Sequence, residues 1–349
     1  MPIPQNPHVR TLENDAAATW ISRWWPTLYE ADPCASAYQS PQWVTAWLRQ
    51  LPATSTPVVM TVADEGGISA ALPLARHRTG ATDVISALTP YAEYNDLVGP
   101  GARRPHIAQA LADGLDQLLQ DWKYAELAHV PAHSVLGRAL DGRRTWRATR
   151  ARTALVPLPL DWDVLPASLR RQHAKRERRA CTGHSISYAR TRSTDELLRL
   201  QPELERLHAA RWASDSWPRS SAPDWGAVLS DLTDTTSFIA TLTIDGALVA
   251  AQLCLFRGTM CWSLRPAMDP GAARLAPGHL LLRRLIDDLT SQGFRGLDLG
   301  RTAETNGQTG YKEQYQPQWS AALSFTPVWP GVGPQRRLQC RTEDFSEGN

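Results

Sequence analysis

Two segments of the chain carry the same alternation of apolar runs and turn residues. Residues 57–76 read PVVMTVADEGGISAALPLAR, in which two β-rich apolar runs flank an Asp-Glu-Gly-Gly turn. Residues 237–256 read SFIATLTIDGALVAAQLCLF, in which two similar runs flank Asp245-Gly246. Asp-Gly and Gly-Gly turns between apolar runs are strong signals for β-hairpins. Both segments are therefore predicted to form hairpins.

Each predicted hairpin is followed by more extended sequence, then by an amphipathic helix and a short strand. Apolar residues spaced three or four apart predict the first helix over residues 104–122, and its strand follows at 124–130. The second helix is predicted over residues 277–292, ended by Gly293, and its strand over 297–299. The same order of elements occurs twice, which predicts an α/β protein with mixed sheets and two similar lobes.

This repeat divides the chain into an N-terminal lobe at residues 1–155 and a C-terminal lobe at residues 156–330. At 349 residues the chain is long enough for each lobe to have its own core. The polar, glycine- and proline-rich tail at residues 331–349 is predicted to be mobile.

Composition favours a cytoplasmic protein. Hydrophobic residues make up 42% and charged residues 21% of the chain, as in globular proteins. The first residues are polar, and no apolar run approaches the roughly 18 to 20 residues of a membrane span. The five cysteines contain no C-x-x-C pair, and His129 and His133 have no third ligand nearby, so no metal site is indicated. A monomer without DNA or membrane partners is expected.

The net charge of +2 conceals a strongly basic stretch. Residues 170–179 read RRQHAKRERR, with six basic side chains and one acid. The stretch lies in a helix predicted over residues 163–180, which Asp163 is expected to cap. A further helix, predicted from Asp195 to about Ala213, is expected to break at Pro202. A basic helix of this kind predicts either an anionic partner or a solvated face.

Lysine is rare in this chain, since only three of the 37 lysines and arginines are lysines. One of them, Lys312, follows the predicted strand at 297–299 and a charged, glycine-flanked segment. In a chain that otherwise uses arginine, a retained lysine indicates a need for a compact ammonium group. The alternative is an ordinary surface lysine.

Taken together, these segments resemble the GNAT acyltransferase fold in its double-lobed form. This group includes the Fem-type peptidoglycan aminoacyltransferases and the CelD-like acetyltransferase domain, and the resemblance covers residues 40–328. The segments that carry it are Leu169-Arg170-Arg171, the hairpin at 244–250, the helix start at 273–278, Asp298-Leu299-Gly300-Arg301 and Tyr311-Lys312. Residues 302–310 form a longer loop than in the CelD-like pattern, closer to the Fem type, so the subgroup and the acyl donor stay open.

The resemblance implies direct attack of an amine on an activated acyl carbonyl, with no covalent enzyme intermediate. The implied catalytic residues are Lys312, Asp298 and Tyr311. Lys312 would offer its charge to the oxyanion or the leaving group. Asp298 would accept a proton or orient the amine, or else cap the loop by pairing with Arg301. Backbone amides of a bulged strand within residues 260–264 would stabilise the oxyanion.

The binding residues follow from the same resemblance. The donor would be bound by Arg274, Gly278, His279 and Arg301. The acceptor would be bound by Tyr94, Asn95 and Asp96, in a cleft between the lobes. The contacts to tRNA would come from Arg170, Arg171, Lys175, Arg176, Arg178 and Arg179.

The loop before the second amphipathic helix bears on the donor. CoA-dependent GNAT enzymes hold the pyrophosphate in a glycine-rich loop, whereas residues 274–279 contain one glycine and Pro277, which lacks an N–H. A single phosphate is still expected to bind the amides of residues 278–280. The basic helix suits an RNA backbone, and Fem-type enzymes, with small relatives in natural-product pathways, use aminoacyl-tRNA. An aminoacyl-tRNA co-substrate is therefore expected, with no permanently bound cofactor.

The predicted function is the joining of an aminoacyl group to the amine of a small molecule or peptide. An acyl-CoA-dependent N-acetyltransferase, with acetyl-CoA as co-substrate, is the alternative among enzymes. A non-catalytic RNA-binding protein that keeps the GNAT fold is the alternative of another class.

Overall fold

A computed structural model describes residues 7–79, 82–121, 124–211, 223–302 and 309–328. The tail predicted to be mobile, residues 331–349, lies outside these residues. The internal contacts divide the chain into two compact units. The first unit takes the described residues up to Ala151 and those from Ala321 onward, and the second unit takes Arg152 to Ser320.

The described strands and helices follow one another in chain order. The strands are β1 (His8–Glu13), β2 (Ser55–Asp64), β3 (Gly67–Thr79), β4 (Thr82–Ala87), β5 (Tyr124–Pro131), β6 (Trp146–Pro157), β7 (Ile186–Arg190), β8 (Ser237–Ile244), β9 (Ala247–Arg257), β10 (Met260–Met268), β11 (Gly296–Thr302) and β12 (Gln318–Pro327). The helices are α1 (Asn14–Glu30), α2 (Pro41–Arg49), α3 (Pro105–Asp121), α4 (Val135–Asp141), α5 (Ala167–Cys181), α6 (Thr194–Arg211), α7 (Trp225–Asp231), α8 (Pro277–Ser291) and α9 (Thr309–Glu313). None of these described helices is both long and apolar enough to cross a membrane.

The first unit is a mixed sheet that is buried on both faces. Its strand order is β1-β2-β3-β4-β5-β12, with β4 and β5 parallel and the other neighbouring strands antiparallel. Met60 of β2 belongs to a buried cluster with Ile107 of α3, whereas the adjacent Val59 belongs to another cluster with Ile21 of α1. Successive strand residues point to opposite faces. Helices cover both faces, which explains an unbroken apolar run in β2.

The second unit contains a sheet in the order β6-β11-β10-β9-β8-β7. Only β10 and β11 pair in parallel; the neighbours β6 and β11, β10 and β9, β9 and β8, and β8 and β7 are antiparallel. Helix α8 packs the leucines of one face, including Leu281, Leu285 and Leu289, into a cluster with Cys254 of β9. Helix α8 connects the parallel strands β10 and β11, and its apolar face packs against the sheet.

The repeated order of elements predicted from the sequence is confirmed. Each unit has a hairpin, a third strand, a helix and a fourth strand that pairs in parallel with the third. The turn of the second hairpin has positive φ angles at Asp245 (52°) and Gly246 (81°). These angles are the ones that a type I′ turn requires, and Asp-Gly adopts them readily.

The predicted start of the basic helix is wrong. Helix α5 begins at Ala167 rather than at residue 163, and its N-cap, Pro166, makes no side-chain capping bond. Asp163 instead donates its backbone N–H to Asp161 Oδ1 over 2.9 Å. A residue that precedes proline is disfavoured in the α region, so Leu165 ends the preceding turn and the helix starts after Pro166.

The predicted break at Pro202 is also wrong, because α6 runs through it without interruption. Leu197, Leu204 and Leu207 are buried on either side of this proline, whereas Pro202 itself is exposed. Tertiary packing of an apolar face supplies most of the stability of a helix in a protein. Burial of the leucines therefore outweighs the hydrogen bond that the proline removes.

Candidate functional site

The two parallel strands of the second unit pair over only part of their length. Residues Met260 to Trp262 of β10 pair with Gly296 to Asp298 of β11, although both strands continue beyond these positions. On its other side β10 has a register shift against β9 between Ser263 and Arg265. The bulged strand was predicted within residues 260–264, and the shift at Leu264 confirms it. An interrupted strand pair of this kind leaves main-chain groups directed away from the ladder.

The end of β11 is shaped by Asp298 and Gly300. The register of β11 against β6 shifts between Asp298 and Arg301, and Gly300 has a φ of 75°. Asp298 is buried, and its Oδ1 accepts a 2.6 Å hydrogen bond from the Gly300 amide. Glycine tolerates positive φ without strain. The carboxylate of Asp298 therefore holds the irregular end of the strand through the Gly300 amide.

Lys312 lies directly over this strand end. Its side chain is only 5% exposed, so the surface-lysine alternative is wrong. The Nζ atom donates to the carbonyl oxygens of Gly300 at 3.1 Å and of Arg301 at 2.6 Å. Lysine carries three N–H donors on one compact charge. The ammonium thus joins α9 to the end of β11.

A row of aromatic and imidazole rings connects α5, α8 and the segment after α9. His279 stacks on Tyr315 with 6.1 Å between ring centroids, and its Nδ1 lies 2.9 Å from Tyr315 Oη. Beyond Tyr315 the row continues to His173 at 5.4 Å and from there to Trp162 at 5.3 Å. At the other end Tyr311, which is 38% exposed, lies edge-on to His279. The row thus ends at the surface at Tyr311, and both Tyr311 and His279 are predicted site residues.

Burial sets the protonation of these rings. Burial, reinforced by the nearby charges of Arg176 and His173, lowers the pKa of His279 to about 4. Burial also lowers the pKa of His173 and raises the pKa of Tyr315 above its ordinary value. Around neutral pH, His279 is therefore an uncharged imidazole and Tyr315 an uncharged phenol.

The amides at the start of α8 were expected to be free to bind a phosphate, but two of them are engaged within the protein. A 3₁₀ helix at Pro270–Leu275 leads to Ala276, which has a left-handed φ of 54°. The amides of His279 and Leu280 both donate to the Ala276 carbonyl oxygen, at 3.1 and 3.2 Å. The prediction that a phosphate binds the free amides of residues 278–280 is therefore wrong for His279 and Leu280. A left-handed Ala276 turns its carbonyl into the first turn of the helix, where these two amides reach it.

The basic side chains of α5 divide into two groups. Those of Arg170, Arg171, Lys175, Arg178 and Arg179 are exposed. Arg176 was expected to face solvent like the others, but it is half-buried and donates to Gln314 Oε1 over 2.7 Å. It lies on the inward stripe of α5 with His173 and Ala180, at the three- and four-residue spacing of a helix face.

Helix α5 also contacts the predicted donor loop. Arg179 Nη1 donates to the carbonyl oxygen of Arg274 over 3.1 Å, and the Arg274 side chain is exposed. Gly278 lies one residue before His279, and a Cβ there would sit 3.6 Å from Met268 Sδ. Helix α5 therefore contacts the predicted donor residue Arg274, and its Arg176 and His173 lie near the predicted donor residue His279.

The three predicted acceptor residues lie in the first unit. Asn95 accepts from Thr89 Oγ1 and donates to the Ala128 carbonyl oxygen, each over 2.9 Å. Asp96 is buried and paired with Arg103 at 2.6 Å, and burial raises the pKa of its carboxyl group. Tyr94 is half-buried, with its ring 6.4 Å from that of Tyr38. The two polar side chains thus hold the conformation of this loop.

Sequence reasoning missed four residues of the second-unit site. They are Trp162, His173, Gln314 and Tyr315. A signal existed for His173, which interrupts a run of charges at the spacing of an inward helix face. No comparable signal existed for the others. Among the described residues, no cluster of three His, Cys, Asp or Glu side chains is arranged to hold a metal ion.

Stability is expected to fall as the pH is lowered from about 6.5 to about 4. Unfolded histidine binds a proton near pH 6.5, whereas folded His279 does so only near pH 4. The unfolded state thus binds more protons in this window and gains relative stability as the pH falls. Urea unfolding midpoints across this range measure the effect. His279→Gln should flatten the dependence, and an unchanged slope would contradict the assignment.

Residues 167–313 match the family model of the acetyltransferase (GNAT) domain. No curated protein matches the chain. FemX shares the fold with a TM-score of 0.59 and 10% identity, over 92% of this chain and 97% of FemX. The C-terminal domain (DUF2156) of a putative lysylphosphatidylglycerol synthetase from Agrobacterium fabrum has a TM-score of 0.57 and 13% identity, over 89% and 92% of the two chains.

A conserved protein of unknown function from Bacteroides thetaiotaomicron is similar in the same way, with a TM-score of 0.59 and 10% identity over 92% and 100% of the two chains. At these identities the structures show a shared fold. The family match runs from the start of α5 to the end of α9 and includes the bulged strand and Lys312. Residues 167–313 therefore match a GNAT acetyltransferase domain, and the chain shares its fold with FemX.

Proposed function

We propose that this protein transfers an aminoacyl group from aminoacyl-tRNA to the amine of a small-molecule or peptide acceptor. The observation that carries the proposal is the position of the five exposed basic side chains of α5. They lie on a helix that contacts the donor loop through Arg179 and the segment after Lys312 through Arg176. A cationic surface adjoining a donor site suits a donor with a phosphate backbone.

The loop before α8 supports the same class of donor. Pro277 has no N–H, and the amides of His279 and Leu280 bond to Ala276. A pyrophosphate cradle relies on several unpaired amides at a helix N-terminus. Of the three amides expected to bind phosphate, two are engaged, which weakens the case for CoA. The Agrobacterium fabrum protein is named a putative lysylphosphatidylglycerol synthetase, and the lysyl group in that product name is an aminoacyl group.

The proposed reaction proceeds between β10 and β11, where their pairing ends. The acceptor nitrogen attacks the acyl carbonyl carbon, and the carbonyl oxygen becomes an oxyanion. The bond from the acyl carbon to the ribose oxygen then breaks, and the proton lost by the attacking amine is taken up by that ribose oxygen, which leaves as a hydroxyl group. In this scheme Lys312 supplies positive charge to the oxyanion or the leaving oxygen, while the buried Asp298 holds the end of β11 in position. Tyr311 is the exposed residue beside them.

Acceptor recognition by Tyr94 is part of the proposal, with Asn95 and Asp96 holding its loop. Arg301, whose carbonyl oxygen bonds to Lys312, is proposed to contact the donor.

An acetyl-CoA donor is the second candidate, because the matching family is described as an acetyltransferase domain. An RNA-binding protein without activity is the remaining alternative.

The donor is tested by following product mass in a tRNA-charging mixture with a panel of amines. Aminoacyl transfer should disappear when ribonuclease is added before the protein, because the donor is destroyed. Acetyl-CoA should not restore product. Ribonuclease-resistant activity, or product from acetyl-CoA alone, would favour the CoA-dependent alternative. Binding of tRNA without transfer to any amine would favour the non-catalytic one.

A further inference from the structure

The hydroxyl group of Tyr315 is enclosed by protein. Tyr315 has no solvent exposure, and its Oη lies 2.9 Å from His279 Nδ1. Within the described part of the chain, His279 Nδ1 is the hydrogen-bond partner of the Tyr315 hydroxyl group. The two rings are stacked, with an interplanar angle of 21°, so their relative orientation is fixed by packing as well as by the hydrogen bond.

Only one direction of this hydrogen bond satisfies both groups. If the histidine donated from Nδ1, the buried O–H of Tyr315 would be left without an acceptor. An unsatisfied buried donor costs about 1 to 3 kcal/mol, which exceeds the small intrinsic difference between imidazole tautomers. The phenol therefore donates, and Nδ1 accepts. An imidazole that accepts at Nδ1 and is uncharged carries its hydrogen on Nε2.

We propose that Tyr315 fixes His279 as the Nε2–H tautomer, so that His279 presents a neutral N–H donor to an anionic oxygen of the acyl donor. Tyr315 is then a positioning residue that acts through His279. The identity of the oxygen rests on the proposed function, whereas the tautomer does not. A phosphate of tRNA and a phosphate of CoA offer the same chemistry.

The surroundings of His279 fit a donor to an anion. From α5 it is faced by Arg176 and His173, from the segment at α9 by Tyr311 and Tyr315, and Arg283 of α8 contributes positive charge near Tyr315. The charge of Arg176 opposes a second proton on His279 and attracts an anionic oxygen. His279 also lies in the first turn of α8, where Pro277 supplies no N–H. Its Nε2–H would provide a donor that the main chain lacks.

The alternative role for His279 is that of a general base, which needs an unprotonated nitrogen directed toward the amine. In the proposed tautomer the unprotonated nitrogen is Nδ1, which is occupied by Tyr315. The hydrogen bond with Tyr315 thus assigns His279 to binding rather than to proton abstraction.

Nitrogen-15 NMR of the whole protein tests the tautomer. Long-range proton–nitrogen correlations of ¹⁵N-histidine-labelled protein at pH 7.5 report which ring nitrogen is protonated, and His279→Gln identifies the His279 signals. The expected result is hydrogen on Nε2 in the wild type and a detectable Nδ1–H population in Tyr315→Phe. Hydrogen on Nδ1, or an imidazolium, in the wild type would overturn the proposal. An unchanged tautomer in Tyr315→Phe would overturn the positioning role.

Kinetics test the binding role, with charged tRNA and acetyl-CoA as separate donors. His279→Gln keeps a side-chain N–H near the position of Nε2, whereas His279→Phe keeps a stacking ring without any donor. Loss of one hydrogen bond to a charged group predicts a donor KM about 10- to 100-fold higher for His279→Phe, with a smaller change in kcat. For His279→Gln, the donor KM should stay close to the wild-type value.

The donor whose KM responds identifies the source of the phosphate. An unchanged KM for both donors in folded His279→Phe would overturn the binding role. If neither donor supports turnover in the wild type, the proposed function fails, while the NMR result still decides the tautomer.

Discussion

Lys312→Met is expected to lower acyl-transfer turnover by about 10²- to 10³-fold, the effect of removing one group that stabilises an oxyanion. The side chain is buried at the end of β11, and its ammonium is the compact charge that the scheme uses there. Methionine keeps nearly the same length and removes the charge. Single-turnover rates with saturating donor, measured with the amine that gives product, test the expectation.

The same ammonium also bonds to the Gly300 and Arg301 carbonyl oxygens, so loss of structure must be separated from loss of charge. Thermal unfolding of Lys312→Met should reveal a destabilisation of about 1 to 3 kcal/mol for carbonyl groups that lose their donor. Lys312→Gln keeps N–H donors without the charge. If Lys312→Gln is stable but as inactive as Lys312→Met, the charge is required. Full turnover in either folded variant would refute a catalytic role.

Removal of four charges from the exposed face of α5 is expected to weaken tRNA binding steeply at low salt. The variant Arg170→Gln, Arg171→Gln, Lys175→Gln, Arg178→Gln changes exposed side chains and leaves the Arg176 and Arg179 contacts intact. Each lost phosphate contact should flatten the dependence of log K on log salt by about 0.7 to 0.9 units. Four contacts predict a change of about 3 units, measured by filter binding over a salt series.

A matched variant separates a local site from overall charge. Arg144, Arg147, Arg150 and Arg192 are also exposed, and their replacement by glutamine removes the same charge from other parts of the surface. The control should change the slope far less. Equal effects of the two variants would indicate only long-range attraction, and no effect of the α5 variant would make this face an ordinary solvated helix surface.

Local periodicity in the sequence was enough to predict much of the fold. The apolar runs around Asp245-Gly246, the leucines of α8 and the order of the repeated elements were read correctly, because turn chemistry and side-chain spacing act over a few residues. The bulge in β10 was placed through the resemblance to a known fold rather than through spacing. The scarcity of lysine likewise drew attention to Lys312 before its burial was known.

Only the tertiary structure decided what these residues contact. The inward turn of Arg176 depends on Gln314, and the tautomer of His279 depends on Tyr315, which lies 36 residues further along the chain. Pro202 stays helical because buried leucines on either side outweigh its local preference. In each case a contact between residues distant in sequence overrides or completes a local preference. Such contacts leave no periodic signal, so the sequence by itself could indicate the elements but not the partners within the site.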